Sequence, residues 1–242
     1  MAATLRVPAR GPGLRVVWRT HRARRLQMSS FKKIDLTQWF DENSEQVDRD
    51  LRRYFDAEPG DMFTGRWFDH FAAIGDPNRF EASDIVAVEA LSVEVPPPEA
   101  AARLLITDTE RFNALLRAIP REMDLWSVGR LDVSVGSAAD DLHAALKQLP
   151  QVGGVTAGKL MAAKRPRLIP IFDERVDRML APRDELFWVS MHDQLKDDQR
   201  RSVIERACRN APAHVGLLRR IDVALWMAAA PKPGRATPPR SE

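Results

Sequence analysis

Between Leu142 and Phe172 the chain holds no acidic residue, yet it carries Lys147, Lys159, Lys164, Arg165 and Arg167, and Asp173 follows at once. Clustered cations can neutralise phosphates. Within the stretch, Leu149-Pro150-Gln151-Val152-Gly153-Gly154 separates two helical segments. Glycines at a tight turn free the backbone to approach a ligand, and the following helix begins with unpaired N–H groups at the positive end of its dipole. The pattern suits one phosphate, held by the backbone of Val152, Gly153, Gly154 and Val155 and by Lys159, with Lys164, Arg165 and Arg167 as electrostatic support. A plain connection between two helices, using glycine where φ must be positive, fits the same residues. Asp173 is placed as the N-cap of a helix over Glu174 to Leu180. Glu174 and Asp177 then belong either to a solvated face or to an acidic site.

Other chemistry is thinly supported. Asp69-His70 and His192-Asp193 are sequence neighbours, which does not by itself orient a carboxylate onto an imidazole, and the five histidines lack metal-ligand spacing. Thr64-Gly65-Arg66-Trp67 could present an aromatic ring and a cation to a base, whereas Trp39, Trp126, Trp188 and Trp226 mostly sit among apolar neighbours and read as core. Serine and cysteine triads have no supporting motif, and there is neither a P-loop nor a dinucleotide glycine fingerprint. The single cysteine, Cys208, excludes an internal disulfide, a four-cysteine zinc site and a cysteine-ligated iron–sulfur cluster. No metal and no cofactor is implied.

The elements that must position these residues are helical almost throughout. Phe112, Leu115, Leu116 and Ile119 follow helical spacing, with Thr107 and Glu110 spaced as a capping box before them. Ser137 is a good N-cap for a helix ending at Leu149, before Pro150. Further helices are expected after Gly154, around Val203 to Cys208, over Leu217 to Trp226, and earlier over Leu36 to Phe55, Ser83 to Leu91 and Pro98 to Ile106. Val93 to Pro98 reads as a connection, and Leu131 to Val135 alternates like a short strand.

The basic charge is concentrated in the N-terminal tail. The chain has 242 residues and a formal net charge of +3, but residues 1–27 hold seven arginines and no acid, so the remainder is acidic. A uniformly basic duplex-wrapping protein is excluded. Residues 1–27 read as a disordered basic tail or an over-long start before Met28, with a transit peptide as a further reading. Residues 28–230 are expected to form a single mainly helical domain with a helix-hairpin-helix at 138–164, and residues 231–242 a disordered Pro-rich tail. The lone cysteine and the lack of a long apolar run suggest a cytoplasmic protein that does not enter a membrane; the oligomeric state is not indicated.

Leu149, Pro150, Val152, Gly153, Thr156 and Ala157 resemble the helix-hairpin-helix of the DNA glycosylase and endonuclease superfamily, and Asp173, after Leu168-Ile169-Pro170-Ile171-Phe172, sits where that superfamily places its catalytic Asp. The segments GGVTAGKL and KRPRLIPIFD and the LLRRIDVALWM end are also similar to a family of uncharacterised bacterial proteins, over about residues 35–230. The superfamily resemblance implies a mainly α, glycosylase-like domain, DNA as partner, and monofunctional base excision with Asp173 as the catalytic carboxylate. Three departures shape it: Gln151 replaces the first hairpin glycine, Val155 stands where bifunctional members carry a Schiff-base lysine, and the cysteines of an iron–sulfur loop are missing. The competing expectation is a non-catalytic helical module that binds another protein.

Overall fold

The computed structural model describes residues 34–56, 63–92, 97–180 and 186–229, all within one unit, Lys32–Glu242. The expectations for residues 1–27 and 231–242, and most of the Val93 to Pro98 connection, lie outside the described residues. Among the described residues there are twelve α-helices and no strand: α1 (Leu36–Glu42), α2 (Ser44–Phe55), α3 (Phe68–Ala72), α4 (Ala82–Ala90), α5 (Pro98–Ala102), α6 (Thr109–Arg117), α7 (Ala138–Leu146), α8 (Gly154–Lys164), α9 (Glu174–Leu180), α10 (Phe187–Leu195), α11 (Asp198–Ala207) and α12 (Leu217–Ala229). No described helix is long and apolar enough to cross a membrane.

Helix α8 is the hub. Its Ala157, Leu160, Met161, Ala162 and Ala163 are all buried, and so are its Lys159 and Lys164, and it packs against α3, α4 and α7. Helix α12 packs against α2 and α9, and α1 against α11. Local chemistry sets several starts: Ser137 Oγ accepts from Asp140 N at 3.2 Å before α7, and Asp197 Oδ1 from Arg200 N at 2.8 Å before α11.

Several local expectations are corrected. Leu131 to Val135 is no strand: Arg130–Val133 forms a 3₁₀ turn, closed by Gly129 N donating to Asp132 Oδ2 at 2.8 Å. Val133 alone points inward there, while Leu131 and Val135 stay exposed. The Thr107–Glu110 capping box does not form, because the chain reaches α6 through a π-helical turn over Arg103–Thr107 and Asp108 takes the cap position. Leu36 to Phe55 breaks at Asn43 into two helices, and the expected reach of α7 to Leu149 stops at Leu146. Helices α3 and α10 had no clear signature because they are short or buried on most sides.

The turn between α7 and α8 places its positive φ on Gln151 (φ 57°), while Gly153, the N-cap of α8, has an ordinary φ of −84°. The residue that replaces the first glycine therefore carries the left-handed backbone itself. Gln151→Gly is expected to leave stability unchanged or raise it by up to about 1 kcal/mol, and Gln151→Val to lower it by about 1–2 kcal/mol, since a β-branched residue tolerates this region poorly. Urea unfolding of both variants checks the order, and a Val variant as stable as the Gly variant would contradict it.

Candidate functional site

The chain leaves α8 at Arg165 and crosses the core through buried Leu168, Ile169 and Ile171 before α9 begins. This apolar passage delivers Asp173 to the head of α9, where its Oδ1 accepts from Arg175 N at 2.8 Å. The carboxylate caps the helix and also lines a cavity of about 460 Å³, within the range of small-molecule sites. Val155 and Lys159, one turn apart on α8, form another part of the wall. Three of the residues expected to do chemistry thus meet around one space.

The floor of the cavity comes from the far end of the chain. Arg219 and Asp222 on α12 line it, as does Tyr54 from α2. Arg219 donates to Tyr54 Oη at 2.8 Å and to Gly65 O at 2.9 Å, pairs closely with Asp222, and has Asp69 Oδ2 at 3.5 Å. Gly65 has to be glycine here, because a Cβ would stand 2.0 Å from Tyr54 Oη. Burial works against the Arg219 charge, but Tyr54, Asp222 and Asp69 outweigh it and hold its pKa above the ordinary guanidinium value. Burial in turn pushes the Asp69 carboxyl and the Tyr54 phenol up.

Asp222 is pushed up to about 6 by burial, against the pull of Arg219 and Lys159. An unfolded Asp titrates near pH 3.9, so between about 4 and 6 the folded chain keeps a proton that the unfolded chain releases. The contribution of this group to stability is therefore largest on the acid side and is lost as pH rises through about 6. Wild-type stability relative to Asp222→Asn is expected to decline between pH 4.5 and 7 in urea unfolding; a difference that grew with pH would contradict the assignment.

An aromatic corner closes one side of the cavity. Phe63 stacks on Tyr54 (centroids 5.2 Å apart) and meets Trp226 edge-on at 6.1 Å, while the Arg175 guanidinium lies 5.6 Å from the Trp226 ring centre. Arg175, Arg178 and Glu174 are exposed at the α9 side, so cations and a carboxylate share the mouth.

The other residues singled out in the sequence fall elsewhere. Val152 is buried, Gly153 faces open space, and Gly154 lines a separate apolar cavity of about 240 Å³ with His143, Phe172 and Trp188. Lys164 and Arg165 do not form a cationic surface. Lys164 Nζ is 2.7 Å from Asp84 Oδ2 in a fully buried pair, and Arg165 donates to the carbonyls of Ile119, Leu116 and Pro77 and to Asn78 Oδ1. Helix α8 runs through the core, so its charged end is consumed by internal carbonyls and a carboxylate. Arg167 is half exposed and bridges Asp124 at 2.8 Å and Glu122 at 3.5 Å.

His192 and Asp193 do meet, Nδ1 to Oδ1 at 3.2 Å, but His192 is buried and its Nε2 lies 3.0 Å from Val128 O, which makes the pair a tie between elements. Cys208 is buried and its thiol is pushed up to about 12, which leaves it unreactive at neutral pH. Among the described residues no group of three or more His, Cys, Asp or Glu could hold a metal ion.

Sequence reasoning missed Tyr54, Arg219 and Asp222. The available signal was an Arg and an Asp three residues apart on the buried side of a strongly apolar helix, where charges persist only if paired.

The model of a family of unknown function, DUF6308, matches residues 47–229, three quarters of the chain. The chain belongs to this family. No curated protein and no solved structure matches it. The matched span of DUF6308 runs from α2 through α12 and takes in every residue named around the larger cavity, Tyr54 through Trp226. In this DUF6308 chain the cavity is thus built wholly from the part that defines the family.

Proposed function

We propose that the protein acts on DNA as a monofunctional, glycosylase-like hydrolase, with the larger cavity receiving a nucleotide turned out of the helix and Asp173 as its catalytic carboxylate. The observation that carries this reading is that Asp173 opens into a cavity of about 460 Å³ instead of being sealed beneath the core. A carboxylate there stabilises positive charge on the sugar as the N-glycosidic bond breaks, or takes a proton from the attacking water. Phe63 and Trp226 offer apolar faces to a ring, and Arg175 and Arg178 at the mouth offer charge to phosphates. The phosphate contacts originally expected of Lys164 and Arg165 pass to these two arginines, because the former pair is buried. The backbone of Val152 to Val155 at the start of α8 remains a further phosphate contact in this reading, as the resemblance to a helix-hairpin-helix implies.

The test is a panel of duplexes, each carrying one modified base, incubated with the full chain under single-turnover conditions and assayed for released base. Release of at least one base by the wild type and its loss in Asp173→Asn are expected. No release from any duplex would overturn the enzymatic reading and favour a non-catalytic module that binds another protein.

A further inference from the structure

The smaller cavity, about 240 Å³, shares no lining residue with the larger one, and its walls are aromatic. Phe172 meets Phe187 edge-on, with centroids 5.3 Å apart and planes at 88°, and His143 meets Trp188 at 5.4 Å and 73°. A flat guest stacks on parallel faces, whereas walls set near right angles enclose a compact, rounded group. His143 Nε2 lies 3.1 Å from Gly154 O; a carbonyl only accepts, so this nitrogen donates there and the ring is held as part of the wall. Asp140 brings a carboxylate to the lining. Its Oδ2 accepts from Gly136 N at 2.9 Å, and among the described residues no Lys or Arg pairs with it. The space exists because α8 sends no side chain into it. Gly154 and Gly158 stand one turn apart on the wall, and a Cβ at either would meet its nearest neighbour at 3.8 Å, an ordinary contact. Packing therefore admits alanine at Gly158, and glycine inside a helix is the less stable choice.

We propose that this cavity binds the quaternary ammonium group of a small molecule, with Phe172, Phe187 and Trp188 around its methyl groups and Asp140 as the opposing charge. The sign of the guest follows from the walls, since aromatic faces carry the negative part of the ring quadrupole and the carboxylate adds to it. Its substitution follows from the shortage of acceptors. A primary ammonium brings three N–H donors, and a wall of rings beside one carboxylate would leave some of them buried without partners. A fully substituted nitrogen has no donor to satisfy and meets the rings through methyl groups. Its size follows from the volume, which lies below the roughly 300–1,000 Å³ of sites for drug-sized ligands. Leu186, exposed at the lining, marks the side on which the rest of the molecule leaves. The site is separate from Asp173 and does not depend on base release.

The indole N–H resonance of Trp188 tests it. In the isotope-labelled full chain that resonance is assigned with Trp188→Phe and followed by NMR as choline chloride replaces sodium chloride at constant ionic strength. The neutral comparison is the alcohol in which carbon takes the place of the quaternary nitrogen, equal in shape and without charge. A saturable shift at Trp188 is expected, with choline bound at least about fivefold more tightly than the alcohol. Asp140→Asn should weaken choline at least about fivefold and leave the alcohol unchanged, and its amide oxygen still accepts from Gly136 N, so the start of α7 is kept. Equal affinity for choline and the alcohol would show a merely apolar cavity, and choline affinity unmoved in Asp140→Asn would deny the opposing charge; either result overturns the proposal. No saturable shift at Trp188 overturns it too, and a shift at Trp226 without one at Trp188 would do so by placing the cation in the larger cavity.

Discussion

Arg219→Met is expected to destabilise the protein by about 3–5 kcal/mol, the usual cost of leaving buried charge without its partner. The guanidinium is the shared donor for Tyr54 Oη, Gly65 O and Asp222 and has Asp69 beside it. Methionine matches the volume but satisfies none of these groups. Against a typical total of about 5–15 kcal/mol, such a loss removes a large part of the stability. Adding Asp222→Asn to Arg219→Met should restore part of it, because one stranded carboxylate disappears. Urea unfolding of the two variants measures both effects; a cost below about 1 kcal/mol, in the range of exposed ion pairs, would show that the network does not support the cavity floor.

Asp173→Asn is expected to lower single-turnover base release by about 10²–10⁴-fold while leaving stability within about 0.5 kcal/mol of wild type. The two effects separate because Asp173 has two roles. Its Oδ1 accepts from Arg175 N, and the amide oxygen of Asn caps a helix about as well as a carboxylate. The amide cannot supply negative charge to a sugar cation or accept a proton from water. Asp173→Ala should lose activity and also about 1 kcal/mol of stability. A fully active Asn variant would reduce Asp173 to its capping role.

The helices that carry Asp173 and Lys159 were legible because local signals mark them: Ser137 as the cap before α7, the glycine turn before α8, and Asp173 as the cap before α9. The fate of the basic stretch was not. Linear charge density in Leu142 to Phe172 suggests a surface, but α8 passes through the core, and whether Lys164 points outward or meets Asp84 depends on where α4 packs. Sequence spacing cannot reveal a partner 80 residues away in the chain. The same limit hid the cavity floor, since Tyr54, Gly65, Arg219 and Asp222 come from opposite ends of the matched span and become neighbours only when α12 packs against α2. Leu131 to Val135 failed for a different reason: strand-like alternation needs a neighbouring strand to pair with, and a 3₁₀ turn satisfied the backbone locally.

The role proposed for the cavity beside Asp173 is to receive an extruded nucleotide. Fluorescence anisotropy of the full chain should compare two duplexes that differ only in one tetrahydrofuran abasic analogue, at about 50 mM and 200 mM salt. Charge attraction from the seven arginines of residues 1–27 is common to both duplexes and cancels in the ratio of affinities. At least about tenfold tighter binding of the duplex with the analogue, about 1.4 kcal/mol, is expected, persisting at the higher salt and lost in a Trp226→Ala/Arg178→Ala variant. Equal affinity for the two duplexes at both salt concentrations would contradict it.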